Sequence, residues 1–112
     1  MTIIRVITKK IGLTALENEV TLLNYMNELT KVAIKQPGYI KSTNYWEYKT
    51  IRNPNTIGNI YTISDWNAYI YWTDWFYSKD RHNIHDKYKH IICSESFDVL
   101  YQLSIKENIF LL

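Results

Sequence analysis

The sequence predicts one α+β domain, an antiparallel sheet with helices on one face, in the element order β-α-β-β-α-β. Three observations predict it. An amphipathic helical pattern from Ala15 to about Lys35 separates two β-branched, mostly apolar stretches. A second helical stretch, residues 67 to 78, follows a short strand, "NIYTIS". Near the end, "SFDVLYQLSI" alternates strictly, with Phe97, Val99, Tyr101, Leu103 and Ile105 on one face. At 112 residues the chain is too short for two cores, so residues 1–112 read as a single domain.

"TIIRVITKK" supplies the first strand, residues 2 to 10, and "IGLT" reads as the turn after it. Thr14 with Glu17 three residues on forms a capping-box pattern at the start of the first helix. Its apolar face is drawn through Leu16, Val20, Leu22, Leu23, Met26, Leu29 and Ala33. Pro37 and Gly38 in "QPGY" end that helix, since proline cannot continue it and glycine permits the reversal. "YIKSTNYWEYK" then alternates as a second strand, "IRNPNTIG" is a loop with Asn-Pro turn chemistry, and "NIYTIS" is the third strand. "KDRHNIHDKYKHII" extends the second helical region by a turn or two. This is a ferredoxin-like arrangement whose second sheet face is left bare by the chain itself. Large apolar residues on that face lead to the expectation of a homodimer.

Composition narrows the function. Hydrophobic residues at 46% and charged residues at 21% place the chain among globular proteins. A formal charge of +2 gives no electrostatic case for a nucleic-acid partner, and "GNIYTIS" lacks the aromatic pattern of RNA-recognition strands. No apolar run of about 18 residues argues for a membrane span, and "MTIIRVITKK" lacks the layout of a signal peptide, so a cytoplasmic location is expected. Cys93 is the only cysteine, which excludes an intrachain disulfide.

The segments "IRVITKK", "AIKQPGYI", "YTISDW" and "WTDWFYSKDRHNI" together resemble the antibiotic biosynthesis monooxygenase (ABM) family over residues 3 to 103. The most specific parts are "QPGYI" and the pattern Ser64, Trp66, Trp72, Trp75, Ser78, Arg81. The resemblance implies a ferredoxin-like subunit whose sheet pairs with a second copy in a dimeric α+β barrel. It also implies a monooxygenase that acts on a small aromatic or hydrophobic molecule in the barrel cavity without metal or flavin. Trp66, at the strand-to-helix junction, and Asn44 are then the expected catalytic residues, with Tyr45 or Trp46 as further candidates for the groups that help form the phenolate. Trp72 and Trp75, three apart with Tyr69 and Phe76 along the same stripe, read as core.

Two other functions stay open. Some members of the wider superfamily bind or degrade haem, using a tryptophan, a histidine ligand beyond it and an asparagine on the first strand. Trp66 and His85, nineteen residues later, fall on the first two, while the asparagine position falls near Ile4. His85 is therefore the haem ligand in that reading. The other is a small-molecule-binding or structural dimer without turnover. His82 with His85, and His90 with Cys93, have helical-turn spacing, but their pattern fits no common zinc motif; no metal site is assigned, and Cys93 is expected to be a core thiol.

Overall fold

The computed structural model describes residues 3–47 and 57–102. The expected turn at Asn53 and Pro54 lies outside them, as do Leu103 and Ile105. The elements are β1 (Ile4–Leu13), a 3-10 turn (Leu16–Asn18), α1 (Glu19–Ala33), β2 (Tyr39–Trp46), β3 (Ile57–Trp66), α2 (Tyr69–Phe76), α3 (Lys79–Lys87) and β4 (Ile92–Tyr101). The strand order is β2-β3-β1-β4, with every neighbouring pair antiparallel, which is the ferredoxin-like arrangement.

Strand alternation decides what each face carries. On β1 the even residues Ile4, Val6, Thr8 and Lys10 are buried under the helices. The register sets Ile4 beside Trp66 and Tyr101, Val6 beside Ser64 and Val99, and Lys10 beside Ile60 and Glu95. The covered face is thus apolar at one end and polar along its middle. The odd residues, among them Arg5, Ile7, Ile63, Tyr61 and Tyr45, lie on the open face.

β1 runs three residues beyond its expected end, so Gly12 belongs to the strand and not to a turn. There the backbone needs a glycine: a Cβ would sit 2.8 Å from the carbonyl oxygen of Ile91. That approach lets Leu13 N–H donate to the Ile91 carbonyl at 2.8 Å. The capping box does not form. The 3-10 turn starts after Ala15 with no side-chain cap, and the buried Thr14 hydroxyl has no partner among the described residues. α1 buries Leu22, Tyr25, Met26, Leu29 and Ala33, while Leu16, Val20 and Leu23 are exposed. The expected stripe ran too wide and missed Tyr25, whose ring is apolar enough for the core and whose hydroxyl meets His85 at 3.0 Å.

α1 ends at Ala33, ahead of Pro37, and Gly38 adopts φ 78°, the left-handed region, in the turn that Tyr39 N–H closes on the Gln36 carbonyl at 3.3 Å; the Tyr71 ring occupies the space where its Cβ would be. The second helical stretch is broken at Tyr77–Ser78 into α2 and α3. Ser78 is the N-cap of α3, its hydroxyl accepting from Arg81 N–H at 3.2 Å. β4 begins at Ile92, four residues before its expected start. Cys93 is exposed and is not a core thiol. The β1–β4 register shifts between Ile11 (opposite Ser94) and Gly12 (opposite Ile92), so Cys93 is the extra residue of a bulge.

Candidate functional site: a two-part cleft under the helices

A two-part cleft lies between the covered sheet face and the helices. Its inner chamber, about 40 Å³, is walled by Trp66, Trp72, Trp75, Phe76, Met26 and Leu29. An outer vestibule of about 190 Å³ lies between α1 and β2, lined by residues that include Leu22, Leu23, Trp46 and Ile60. Met26 and Asn44 line both parts.

The wall forms because two elements hand over at one point. Trp66 is the last residue of β3 and fully buried, its indole N–H donating to the Ser64 hydroxyl at 3.0 Å. Tyr39 packs edge-on against it, ring centres 5.5 Å apart. One helical turn separates Trp72 from Trp75 and Phe76, and the rings of Trp72, Phe76 and Phe97 meet at 4.8–5.1 Å. The expected division between core tryptophans and one pocket tryptophan does not hold. Trp66, Trp72 and Trp75 are all core, and all three line the chamber. A helix lying over a sheet edge leaves its inner rings facing whatever gap remains.

The chamber floor is polar. The Thr62 hydroxyl donates to Asn44 Oδ1 at 2.7 Å, and Lys10 Nζ donates to Thr62 Oγ1 at 3.4 Å. Ser42 and Ser64 complete this strip across β2 and β3. Behind it, Glu95 lies 4.0 Å from Lys10 Nζ and is hydrogen-bonded to Arg81, whose guanidinium covers the Phe76 ring at 4.0 Å. Lys10 is nearly inaccessible, and burial lowers its pKa to about 8 from 10.5; the Glu95 charge raises it and the Arg81 charge lowers it further. Sequence reasoning missed Lys10, Thr62 and this use of Arg81. The signal was there in the parity of β1, since a lysine at an even position falls in register with the buried Ile4 and Val6.

Of the expected site residues, Trp66 and Asn44 are brought together on the chamber. Trp46 and Tyr45 both border the vestibule, Tyr45 at the sheet edge and half-exposed. His85 stands apart: it is half-buried on α3, bonded through Nδ1 to Tyr25 and absent from the chamber lining. Its pKa is lowered, by burial first. His85, the expected haem ligand of the alternative reading, lines neither part of the cleft. Among the described residues no group of three or more His, Cys, Asp or Glu side chains is placed to hold a metal ion. Among them, too, no helix is long and apolar enough to cross a membrane.

No protein-family profile and no curated protein matches the chain. Solved structures do. A conserved protein from Methanosarcina mazei is 18% identical with a TM-score of 0.68, covering 89% of this chain and 92% of its own. A structure from Nitrosomonas europaea, described provisionally as an antibiotic biosynthesis monooxygenase, is 7% identical with a TM-score of 0.68, over 92% of this chain and 94% of its own. A variant of SnoaB, a cofactor-independent oxygenase from Streptomyces nogalater, is 9% identical with a TM-score of 0.69, over 94% of this chain and 98% of its own. Likeness at such low identity lies in the backbone, and its conclusion concerns the fold: the chain has the α+β fold of the antibiotic biosynthesis monooxygenase structures.

Proposed function

We propose that the protein is a cofactor-independent oxygenase of a small, single-ring aromatic substrate, working in this cleft as one half of a homodimer. The observation that carries the reading is the juxtaposition of a tryptophan wall with a polar floor in one cleft. The likeness to SnoaB, itself a cofactor-independent oxygenase, supports the reaction class. Size sets the substrate: an apolar cavity of about 150 Å³ accepts benzene, so the 190 Å³ vestibule suits one ring and not a fused polycycle.

Chemically the substrate supplies the electrons. A phenol ionises, the electron-rich ring reacts with dioxygen, one oxygen atom stays on the ring carbon and the other leaves as water. For phenol itself the balance closes without a further reductant: one phenol and one dioxygen give one para-benzoquinone and one water. The chain's residues would do three things. Leu22, Trp46 and Ile60 would hold the ring in the vestibule, while Trp66 and its neighbours would wall the chamber that receives its polar substituent. Asn44 and Thr62 would orient its hydroxyl. The polar floor would stabilise the oxygen as it becomes an anion, through fixed dipoles aimed at it.

Oxygen uptake tests this reading with a panel of single-ring phenols and hydroquinones, quinone absorbance being followed in parallel. Uptake above the heat-inactivated control, lowered by about tenfold or more in Trp66→Ala, is the expected result. No uptake across the panel removes the reading.

A further inference from the structure

We propose that the inner chamber is an anion subsite, with Lys10 as the residue that binds a carboxylate or phenolate on the substrate, so that the natural ligand is an aromatic acid or an equally acidic phenol. The proposal rests on the cleft being the substrate site and names the class of substrate it takes.

Charge and geometry carry it. Three charged side chains meet beneath the chamber: Lys10 on β1, Arg81 on α3 and Glu95 on β4, each with a side chain no more than 13% exposed. Two are cations and one is an anion. Glu95 is bonded to Arg81, and the guanidinium also donates to the Phe76 carbonyl at 3.4 Å, so Arg81 has its partners. Lys10 does not share in that satisfaction. Its contacts are 3.4 Å to Thr62 and 4.0 Å to Glu95, both long for an ammonium, whose charge-assisted bonds run at about 2.7–2.9 Å. The face of Tyr25, with its centre 5.7 Å away, adds a weak cation–π contact.

A buried ammonium with three donors and two loose partners is costly unless an anion completes it. Lys10 borders the chamber, and no carboxylate is among the residues that line it. The chamber's 40 Å³ is room for a carboxylate or a phenolic oxygen, not for a ring. The ring would lie in the vestibule past Met26 and Asn44, which border both spaces.

The groups acting on Lys10 are Glu95 from β4, Arg81 and His85 from α3, Tyr25 from α1 and Thr62 from β3. Glu95 favours the charged amine, Arg81 opposes it, and burial holds its pKa at about 8. The subsite is therefore charged near neutral pH and loses its charge as the pH rises through that value.

Benzoate and its neutral isostere benzamide test the proposal, titrated into the full chain with tryptophan fluorescence as the readout. Benzoate should bind roughly tenfold to a hundredfold more tightly than benzamide near pH 7. The preference should disappear in Lys10→Met and fall in the native chain above about pH 8. Arg5→Met, on the open face, should keep it. Lys10→Met leaves Glu95 with Arg81; should it fail to fold, Thr62→Val, which removes one partner of the amine and no charge, should lose part of the preference. Equal binding of the two compounds, no saturable binding of benzoate, or a preference that survives Lys10→Met and does not change with pH would overturn the proposal. Benzoate selectivity without oxygen uptake would sink the oxygenase and leave the subsite standing. Uptake on neutral phenols without benzoate selectivity would do the reverse.

Discussion

Each face of the sheet carries a cluster of two cations and one carboxylate, and the two clusters behave differently. On the open face Arg5 makes two hydrogen bonds to Asp65, at 2.8 and 3.0 Å, with Lys41 3.9 Å away. The side chains of Arg5 and Lys41 are 50% and 69% exposed, so water and salt answer the surplus positive charge. The Arg5 pKa is raised, chiefly by its hydrogen bond to Asp65. On the covered face the same count appears in Lys10, Arg81 and Glu95, yet the lysine and arginine side chains are 3% and 8% exposed. There the surplus charge has no water to answer it, and the Lys10 pKa falls. Identical charge arithmetic is thus an ordinary surface feature on one side and a binding determinant on the other, because solvation differs.

The comparison can be broken most directly by removing the central charges. Glu95→Gln should destabilise the chain by about 3–5 kcal/mol in urea unfolding, since it strands buried cations, whereas Arg5→Met should cost less, since it leaves Asp65 with Lys41. Equal losses would mean that burial does not distinguish the clusters.

A pH series sharpens it. Below about pH 8 the Lys10 amine is protonated in both folded and unfolded chains, and the full cost of burying its charge applies. Between about 8 and the ordinary value of 10.5 the folded chain has released the proton that the unfolded chain still holds. Stability therefore rises with pH in that window. Burial raises the Tyr25 pKa above 10.0, which opposes this only at higher pH, so the useful interval ends near there. From pH 8 to 10 the native chain should gain on the order of 1–3 kcal/mol relative to Lys10→Met. A constant difference would show that the lysine does not titrate as the geometry requires.

The smallest effect on the cleft should come from the open face. Ile57, Tyr45 and Leu100 are exposed there by half or more of their surface, or nearly so, and Ile63 lies among them. We infer that a second copy covers this face. Light scattering should give twice the 13.4 kDa chain mass, and Ile63→Lys should return it to one while changing benzoate affinity by no more than about twofold. A native chain that stays monomeric at micromolar concentration would exclude that pairing.

Much of the fold was legible because it rests on local periodicity. The order of elements, the turn at Pro37–Gly38 into β2 and the junction position of Trp66 all follow from residue types and spacing. Boundaries were less legible. The capping residues at Thr14 and Glu17 were in order, but the chain made a 3-10 turn there instead. Ser78 and Arg81, noted as part of a motif, turned out to cap and anchor α3.

By itself the sequence determined an α+β chain of this order, with a cluster of large aromatic rings where the third strand meets a helix, since hydrophobic period and turn chemistry act over a few neighbours. Tertiary structure alone decided the contents of the cleft. Lys10, Thr62, Arg81 and Glu95 come from four different elements, and whether each is wet or dry depends on strand register and on which face the helices cover. A one-residue slip would turn Lys10 out to solvent, and the same letters would then spell another surface charge.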